Sequence, residues 1–277
     1  MFRPNRLKAR LNAGEKSFGT WLQSGCPTFA EIASCAGFDF FVMDQEHGPG
    51  GIETAMDMAR AAAGAPATAM VRVPSSHPTY IKRLIDTGIE GILVPMVECA
   101  AEADQVVKAC RYPPRGNRGN AADVARCSGY GLQVDYLDRA DDDLLIAIQI
   151  ETATAVANAA EIAAVDGVDL VFIGPTDLSG SIGLMGKTGH PKVEALIAET
   201  VAAVRKVGKP LGTVPRQGRT WQQLFDEGFL LVATGSEIFA YRKHAQELMA
   251  GWQDYRRSAV KMEPRETPTV IPAQAGT

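Results

Sequence analysis

Cysteine is scarce and unpaired in this sequence: five residues (Cys26, Cys35, Cys99, Cys110, Cys127), an odd number with no C-x-x-C spacing. The pattern argues against a disulfide framework or a thiolate zinc site and predicts reduced thiols that fill space as small hydrophobes. Neither sign of charge dominates. With 28 Lys and Arg against 32 Asp and Glu, the net charge is −4, and without a basic stripe nucleic acid is a poor partner. Long apolar runs are missing too: none approaches the ~20 residues that span a bilayer, and the opening MFRPNRLKARLNAGEK is too polar for a signal peptide. The expectation is a soluble, cytoplasmic protein with no membrane partner. Only four histidines occur; three of them, His77, His190 and His244, have no partner at metal-ligand spacing and read as surface or helix-terminus residues.

What is present is alternation. Short apolar, β-branched runs at 18–22 (FGTWL), 38–43 (FDFFVM), 67–73 (ATAMVRV), 91–96 (GILVPM), 144–150 (LLIAIQI), 170–173 (LVFI), 211–214 (LGTV) and 230–234 (LLVAT) read as eight strands buried on both faces of a parallel sheet. Helical spacing of apolar residues falls between them at 31–36, 52–63, 78–87, 100–111, 191–207 and 220–226. A Gly-, Pro- and Arg-rich stretch, 112–131, precedes the fifth strand. Eight β/α units in about 250 residues have the size and period of a (β/α)8 TIM barrel, whereas a doubly wound sheet more usually has five or six strands. No spacer marks an internal boundary, so residues 1–262 are expected to form one barrel domain with C-terminal helices. The Pro-rich segment 263–277 (EPRETPTVIPAQAGT) is expected to be a flexible tail.

Two acids close consecutive strands: Glu151 after Gln149-Ile150, and Asp177 after Gly174-Pro175-Thr176. In parallel α/β folds, functional groups gather at such carboxyl ends, so the pair is placed to hold a divalent metal. The other strand ends bring Asp44, Glu46, His47, Arg72 and Glu98 to the same mouth. Each assignment has a plainer rival. Glu151 could be a salt-bridge partner, Asp177 a turn cap, and His47 a solvated loop residue. Arg72, in an apolar strand, must meet an anion, either a core carboxylate such as Asp44 or a ligand. No lysine ends an assigned strand, which argues against Schiff-base chemistry.

These residues stand in a wider pattern: Ala36-Gly37-Phe38-Asp39 with Asp44 and Glu46-His47; Val71-Arg72; Ile81-Lys82-Arg83-Leu84 with Asp86 and Gly88; Leu93-Val94-Pro95-Met96; Tyr112-Pro113-Pro114-Arg115-Gly116-Asn117-Arg118-Gly119; Gln149-Ile150-Glu151-Thr152; and Phe172-Ile173-Gly174-Pro175-Thr176-Asp177-Leu178-Ser179. The chain resembles, from about residue 7 to about 249, the HpcH/HpaI family of metal-dependent (class II) pyruvate aldolases. The resemblance implies reversible cleavage of a 4-hydroxy-2-oxo acid to pyruvate and an aldehyde, with oxaloacetate decarboxylation as a side reaction. It also implies Glu151 and Asp177 as ligands of Mg²⁺, Mn²⁺ or Co²⁺, with Gln149 orienting metal-bound water. By the same resemblance Arg72 clamps the 2-oxo oxygen, and His47, oriented by Asp44, is the acid/base unit, with Asp86 supporting that network. The Gly174-Pro175-Thr176-Asp177 loop offers backbone N–H groups to the pyruvate carboxylate, and Arg118 and Asn120 lie near the aldehyde entrance. A homo-oligomer is implied as well, a hexamer or trimer with exchanged C-terminal helices, for which 235–249 followed by 252–262 would form the arm.

Elementary chemistry agrees with that implication. A 2-oxo acid chelates one cation through its carboxylate and keto oxygens, and charge develops on the keto oxygen, where one preorganised donor is worth ~3 to 4 kcal/mol. Three departures from the family pattern bear on the natural substrate: Gln45 where relatives usually have Gly, Thr176 for a common Ala, and Asn120 for a common Val. Two other readings stay open. One is a lyase of CoA esters like citrate lyase β or malyl-CoA lyase, for which Arg115 and Arg118 are the candidate phosphate contacts. The other is a non-catalytic 2-oxo acid binding protein.

Overall fold

Strand side chains alternate between the two faces of a sheet, and here both faces are apolar. In the computed structural model, which describes residues 3–260, the strands are β1 (Ser17–Leu22), β2 (Phe40–Asp44), β3 (Thr68–Arg72), β4 (Gly91–Val94), β5 (Leu145–Ile150), β6 (Leu170–Ile173), β7 (Leu211–Thr213) and β8 (Leu231–Ser236). Each pairs in parallel with the next, and β8 closes on β1. The result is the (β/α)8 TIM barrel expected from the alternation. The helices are α1 (Arg6–Asn12), α2 (Pro27–Cys35), α3 (Ile52–Ala61), α4 (Pro78–Asp86), α5 (Ala100–Cys110), α6 (Tyr136–Asp143), α7 (Ala153–Ala157), α8 (Ala159–Ala164), α9 (Pro175–Ser181), α10 (Pro191–Val207), α11 (Trp221–Asp226) and α12 (Glu237–Val260).

Local chemistry sets where several helices begin and end. Pro opens α2, α4, α9 and α10, where its missing N–H costs no helical bond. His77 and His190 are N-caps whose side chains accept from the backbone N–H of Thr79 and Lys192, which accounts for two of the unpartnered histidines. Thr220 and Gln223 form a capping box on α11, and α10 stops at Gly208, whose φ of 77° suits glycine.

The core has two layers. Phe40, Val42, Met70, Leu93, Leu145, Ala147, Leu170, Phe172, Leu231 and Ala233 fill the barrel interior as one buried cluster, while their neighbours Phe41, Met43, Val71, Ile92, Ile146, Ile148, Val171 and Val232 pack against the helices. Helix α1 adds Leu7 and Leu11 to the inner cluster. Its N-cap Asn5 donates to the carbonyls of Glu90 (2.6 Å) and Asp143 (3.0 Å), which lie just before β4 and β5, so α1 closes the N-terminal end of the barrel. Only Cys110 and Cys127 are buried as small hydrophobes; Cys35 is exposed.

The chain divides into a barrel unit through Ile238 and a second unit from Phe239. In place of two successive segments, α12 is one helix running through Gly251. Phe239, Tyr241, Leu248, Met249, Trp252 and Tyr255 along it are exposed. Residues 261–262 of the expected arm and the expected tail, 263–277, lie outside the described residues. Among the described residues, no helix is long and apolar enough to cross a membrane.

Candidate functional site

The period-two register that packs the barrel interior also aims its polar residues. Above Phe40 and Val42 the next inward position on β2 is Asp44; above Met70 on β3 it is Arg72; above Leu145 and Ala147 it is Gln149, then Glu151; above Leu170 and Phe172 it is Gly174. These positions lie at strand carboxyl ends, around a cavity of about 300 Å³ lined by Trp21, Gln23, His47, Arg72, Gln149, Phe172, Gly174, Thr176 and Asp177, among others.

Arg72 resolves its open choice in favour of protein carboxylates, with the cavity at its edge. The β2/β3 register sets Asp44 opposite Arg72, and the guanidinium binds Asp44 at both oxygens, Nε to Oδ1 at 3.0 Å and Nη2 to Oδ2 at 2.7 Å. Its Nη1 lies 3.1 Å from Glu46 Oε2, close enough for an ion pair although not aligned as a hydrogen bond. The indole of Trp21 covers the group, 4.6 Å from the ring centroid to Cζ. Burial pushes the Asp44 carboxyl up, but the Arg72 hydrogen bond and charge, with the His47 backbone N–H and Gln23, bring it below the usual range.

That arrangement corrects the expected role of Asp44. Its Oδ1 accepts the backbone N–H groups of Glu46 and His47, both at 3.2 Å, so it fixes the turn and not the imidazole. The largely exposed ring of His47 instead has Nε2 3.9 Å from Glu46 Oε2. Glu46 thus stands between Arg72 and His47. Burial raises its carboxyl, opposed by Arg72 and His47 and reinforced by Asp44 and Asp177. The adjacency Glu46-His47 in the sequence was the available signal for this role.

Glu151 is 1 % exposed. Its Oε1 accepts the backbone N–H of Met96 at 2.7 Å, and its Oε2 accepts from Gln149 Nε2. Burial pushes its carboxyl up to about 7, against the hydrogen bonds from Gln149 and Met96, and Glu46 and Asp177 push the same way. Met96 presents that N–H from a left-handed backbone, φ 55°, a conformation that residue type does not announce. Gly174 packs so closely that a Cβ there would come within 2.8 Å of Glu151 Oε2 and 3.0 Å of Gln149 Nε2. Asp177 is the third residue of α9 and half-buried. The backbone N–H of Gly174 is already used by Ile150 O at 3.0 Å, and Pro175 has none, so Thr176 and Asp177 are the loop residues whose first-turn amides lack a helical partner.

The donor set suits a hard divalent cation. Gln149 Oε1 is buried without a partner, Glu151 is destabilised as an anion by burial first and then by Glu46 and Asp177, and the oxygens of Glu151, Asp177 and Gln149 are the hard donors such a cation takes. Among the described residues no three His, Cys, Asp or Glu form a ready cage. Glu151 and Asp177 could supply only part of a cation's shell.

Three expected site residues sit elsewhere in the chain. Asp86, the last residue of α4, is about 12 Å along that helix from its first residue, Pro78. It binds Arg118 Nη2 at 2.6 Å. Arg118 is buried and stacks over Tyr112 at 4.5 Å, and neither it nor Asn120 is among the residues that line the cavity. Asn120 turns its Oδ1 onto the Ala122 N–H at 2.9 Å. Arg115 pairs with Asp141 at 3.3 Å, so neither arginine considered for CoA phosphates lacks an acidic partner.

Comparison with known proteins points the same way. The HpcH/HpaI aldolase/citrate lyase profile matches residues 17–243. The chain is 39% identical over 250 residues to the hydroxypyruvate/pyruvate aldolase of Cupriavidus necator, covering 90% of this chain and 93% of that protein. It is 38% identical over 246 residues to the 4-hydroxy-2-oxo-heptane-1,7-dioate aldolase of Escherichia coli, covering 89% and 94%. The crystal structure of an HpcH/HpaI aldolase/citrate lyase family protein from Burkholderia cenocepacia superposes with a TM-score of 0.85 at 31% identity, covering 90% of this chain and 99% of that one.

Proposed function

The chain belongs to the HpcH/HpaI aldolase/citrate lyase family and is a carbon–carbon lyase of the aldolase type, and from that premise we propose that it cleaves a 4-hydroxy-2-oxo acid reversibly to pyruvate and an aldehyde, dependent on a divalent metal. The observation that carries the reading is the buried carboxyl of Glu151, bound to Gln149 and pushed up by burial and then by Glu46 and Asp177, beside a cavity that Gln149, Asp177 and Arg72 line. Glu151 and Asp177 would hold Mg²⁺, Mn²⁺ or Co²⁺, with Gln149 Oε1 orienting a ligand water. When bound, such a cation supplies Lewis-acid polarisation of the 2-oxo group.

The chain's own residues do the rest. Arg72, locked by Asp44 and shielded by Trp21, keeps a fixed positive charge at the cavity edge and stabilises negative charge developing on the keto oxygen as the C3–C4 bond breaks. The Thr176 and Asp177 amides are oriented for a carboxylate. His47, with Glu46 at 3.9 Å, moves the proton at the C4 hydroxyl, either directly or through a water, and its exposure lets it exchange that proton with solvent. Phe172 and Trp21 give an apolar patch to a wall otherwise lined by polar side chains such as Gln23, Gln149 and Asp177. Oxaloacetate, whose loss of CO2 leaves the same carbanion, should be decarboxylated as a side reaction.

We further infer a homo-oligomer, hexameric or trimeric, in which the exposed aromatic and aliphatic residues of α12 are covered. The catalytic reading is tested by pyruvate release from oxaloacetate and from a panel of 4-hydroxy-2-oxo acids, with and without EDTA and Mn²⁺, on wild type and Glu151→Ala. Release that needs metal and vanishes in the variant is expected. Release that ignores both EDTA and the substitution, or none with any substrate, overturns it.

A further inference from the structure

We propose that Gln45 and Tyr80 are positioning residues that clasp the loop carrying Glu46 and His47 and hold the acid/base unit over the cavity; this rests on the aldolase reading above. Gln45 is 6 % exposed although it sits in a loop. Its backbone N–H donates to Arg72 O at 3.0 Å, continuing the β2–β3 pairing one residue past the strands. Its side chain turns away from the cavity and is bound at both ends. Nε2 donates to Gly51 O at 2.5 Å, and Oε1 accepts from Tyr80 Oη at 2.7 Å.

Gly51 is the N-cap of α3 and Tyr80 lies in the first turn of α4. One amide therefore ties the exit of β2, the start of α3 and the start of α4 together, and closes residues 45–51 into a ring. Inside that ring the chain turns sharply: a Cβ on Gly48 would lie 2.2 Å from Asp44 O and 2.8 Å from Gln23 O. Asp44 holds the Glu46 and His47 amides from within. A buried primary amide is stable only with its partners made, so the clasp and the loop conformation support each other.

The consequence is mechanical. His47 has a largely exposed ring whose Nε2 lies 3.9 Å from Oε2 of Glu46, its neighbour on the same loop, so its place at the cavity depends on the backbone at 46–48. Loops without such ties exchange among conformers, and a 1 Å misplacement of a catalytic group can cost about a hundredfold in rate. Gln45 and Tyr80 touch neither the cavity nor the metal-binding oxygens, so their effect is confined to loop position.

Tyr80→Phe removes one hydroxyl, and Gln45→Met keeps length and apolar bulk while removing both hydrogen bonds. Each is compared with wild type by hydrogen exchange at the Glu46 and His47 amides and by steady-state kinetics with the best hydroxy-oxo acid. The expected result is exchange faster by about tenfold, the fold-change of a lost neutral hydrogen bond, with kcat reduced and the Mn²⁺ affinity, read by calorimetry, unchanged. The double variant should match Gln45→Met, since the two residues act as one unit. Unchanged exchange in both single variants, or faster exchange with unchanged kcat, overturns the proposal. So does an equal loss of kcat, Mn²⁺ affinity and thermal stability, the signature of a generally loosened barrel. If wild type releases no pyruvate, the aldolase reading fails by itself, and the exchange data still decide whether the clasp exists.

Discussion

Arg72 is a cation with two anionic partners and an aromatic lid, and its environment makes a sharp statement about substitution. Replacing it with leucine leaves Asp44, whose side chain is fully buried, without a counter-charge. Uncompensated buried charges of this kind cost about 3–5 kcal/mol, so Arg72→Leu should lower the stability measured by urea unfolding as well as abolish turnover, whereas Glu151→Ala should abolish turnover without that loss. Gly174 carries a steric prediction. The Cβ of Gly174→Ala would push on Glu151 and Gln149, and displacement of a supporting shell typically costs about 10–100-fold in metal affinity. Calorimetric titration with Mn²⁺ should show that weakening while circular dichroism shows an intact barrel. Of these residues, Glu151, Asp177, Arg72 and His47 could be picked out because acids and cations at the ends of apolar strands have few structural reasons to be there. Met96 as the donor to Glu151 could not, since it depends on a φ angle that methionine does not signal, and the Glu46-His47 adjacency was visible without showing that Glu46 also meets Arg72.

The strands and the amphipathic helices between them were legible because their periods, 2 and 3.6, are local. Helix α1 was not. Its seven residues (RLKARLN) look polar, and only two of them, Leu7 and Leu11, are buried. Those two nevertheless finish the inner core, so Leu7→Ala should cost about 2–5 kcal/mol, read as a lower urea midpoint at unchanged slope. The short helices α6 to α9 were missed for a related reason: runs of five to eight residues are stabilised mainly by packing and caps. Between α10 and the segment after β7, Glu194 is bound at both oxygens by Arg216, at 2.7 and 2.9 Å. That hydrogen bond outweighs burial and holds the carboxyl below its ordinary value. A depressed carboxyl contributes stability above the ordinary pKa of about 4.3 and loses it as pH falls through the folded value. The stability gap between wild type and Glu194→Gln should therefore be largest near neutrality and close below about pH 4, in urea melts across that range.

Assembly is the remaining question at the level of the entire protein. Phe239, Tyr241, Leu248, Met249, Trp252 and Tyr255 are exposed along α12, and a chain ending at Ile238 should sediment as a monomer where the full chain sediments as a trimer or hexamer. A monomeric full chain would refute the oligomer. The eight-unit barrel and the placing of Glu151 and Asp177 at consecutive strand ends were readable from order and alternation alone, since burial on both faces of a strand and the residue at its end are properties of a few consecutive positions. The Asp44–Arg72–Glu46 arrangement, the pairing of Asp86 with Arg118 away from the mouth, and the Gln45–Tyr80 clasp came only with the folded chain. They join residues 28, 26, 32 and 35 positions apart, and which of several nearby charges or amides finds which partner is settled by the geometry of closure, not by residue type.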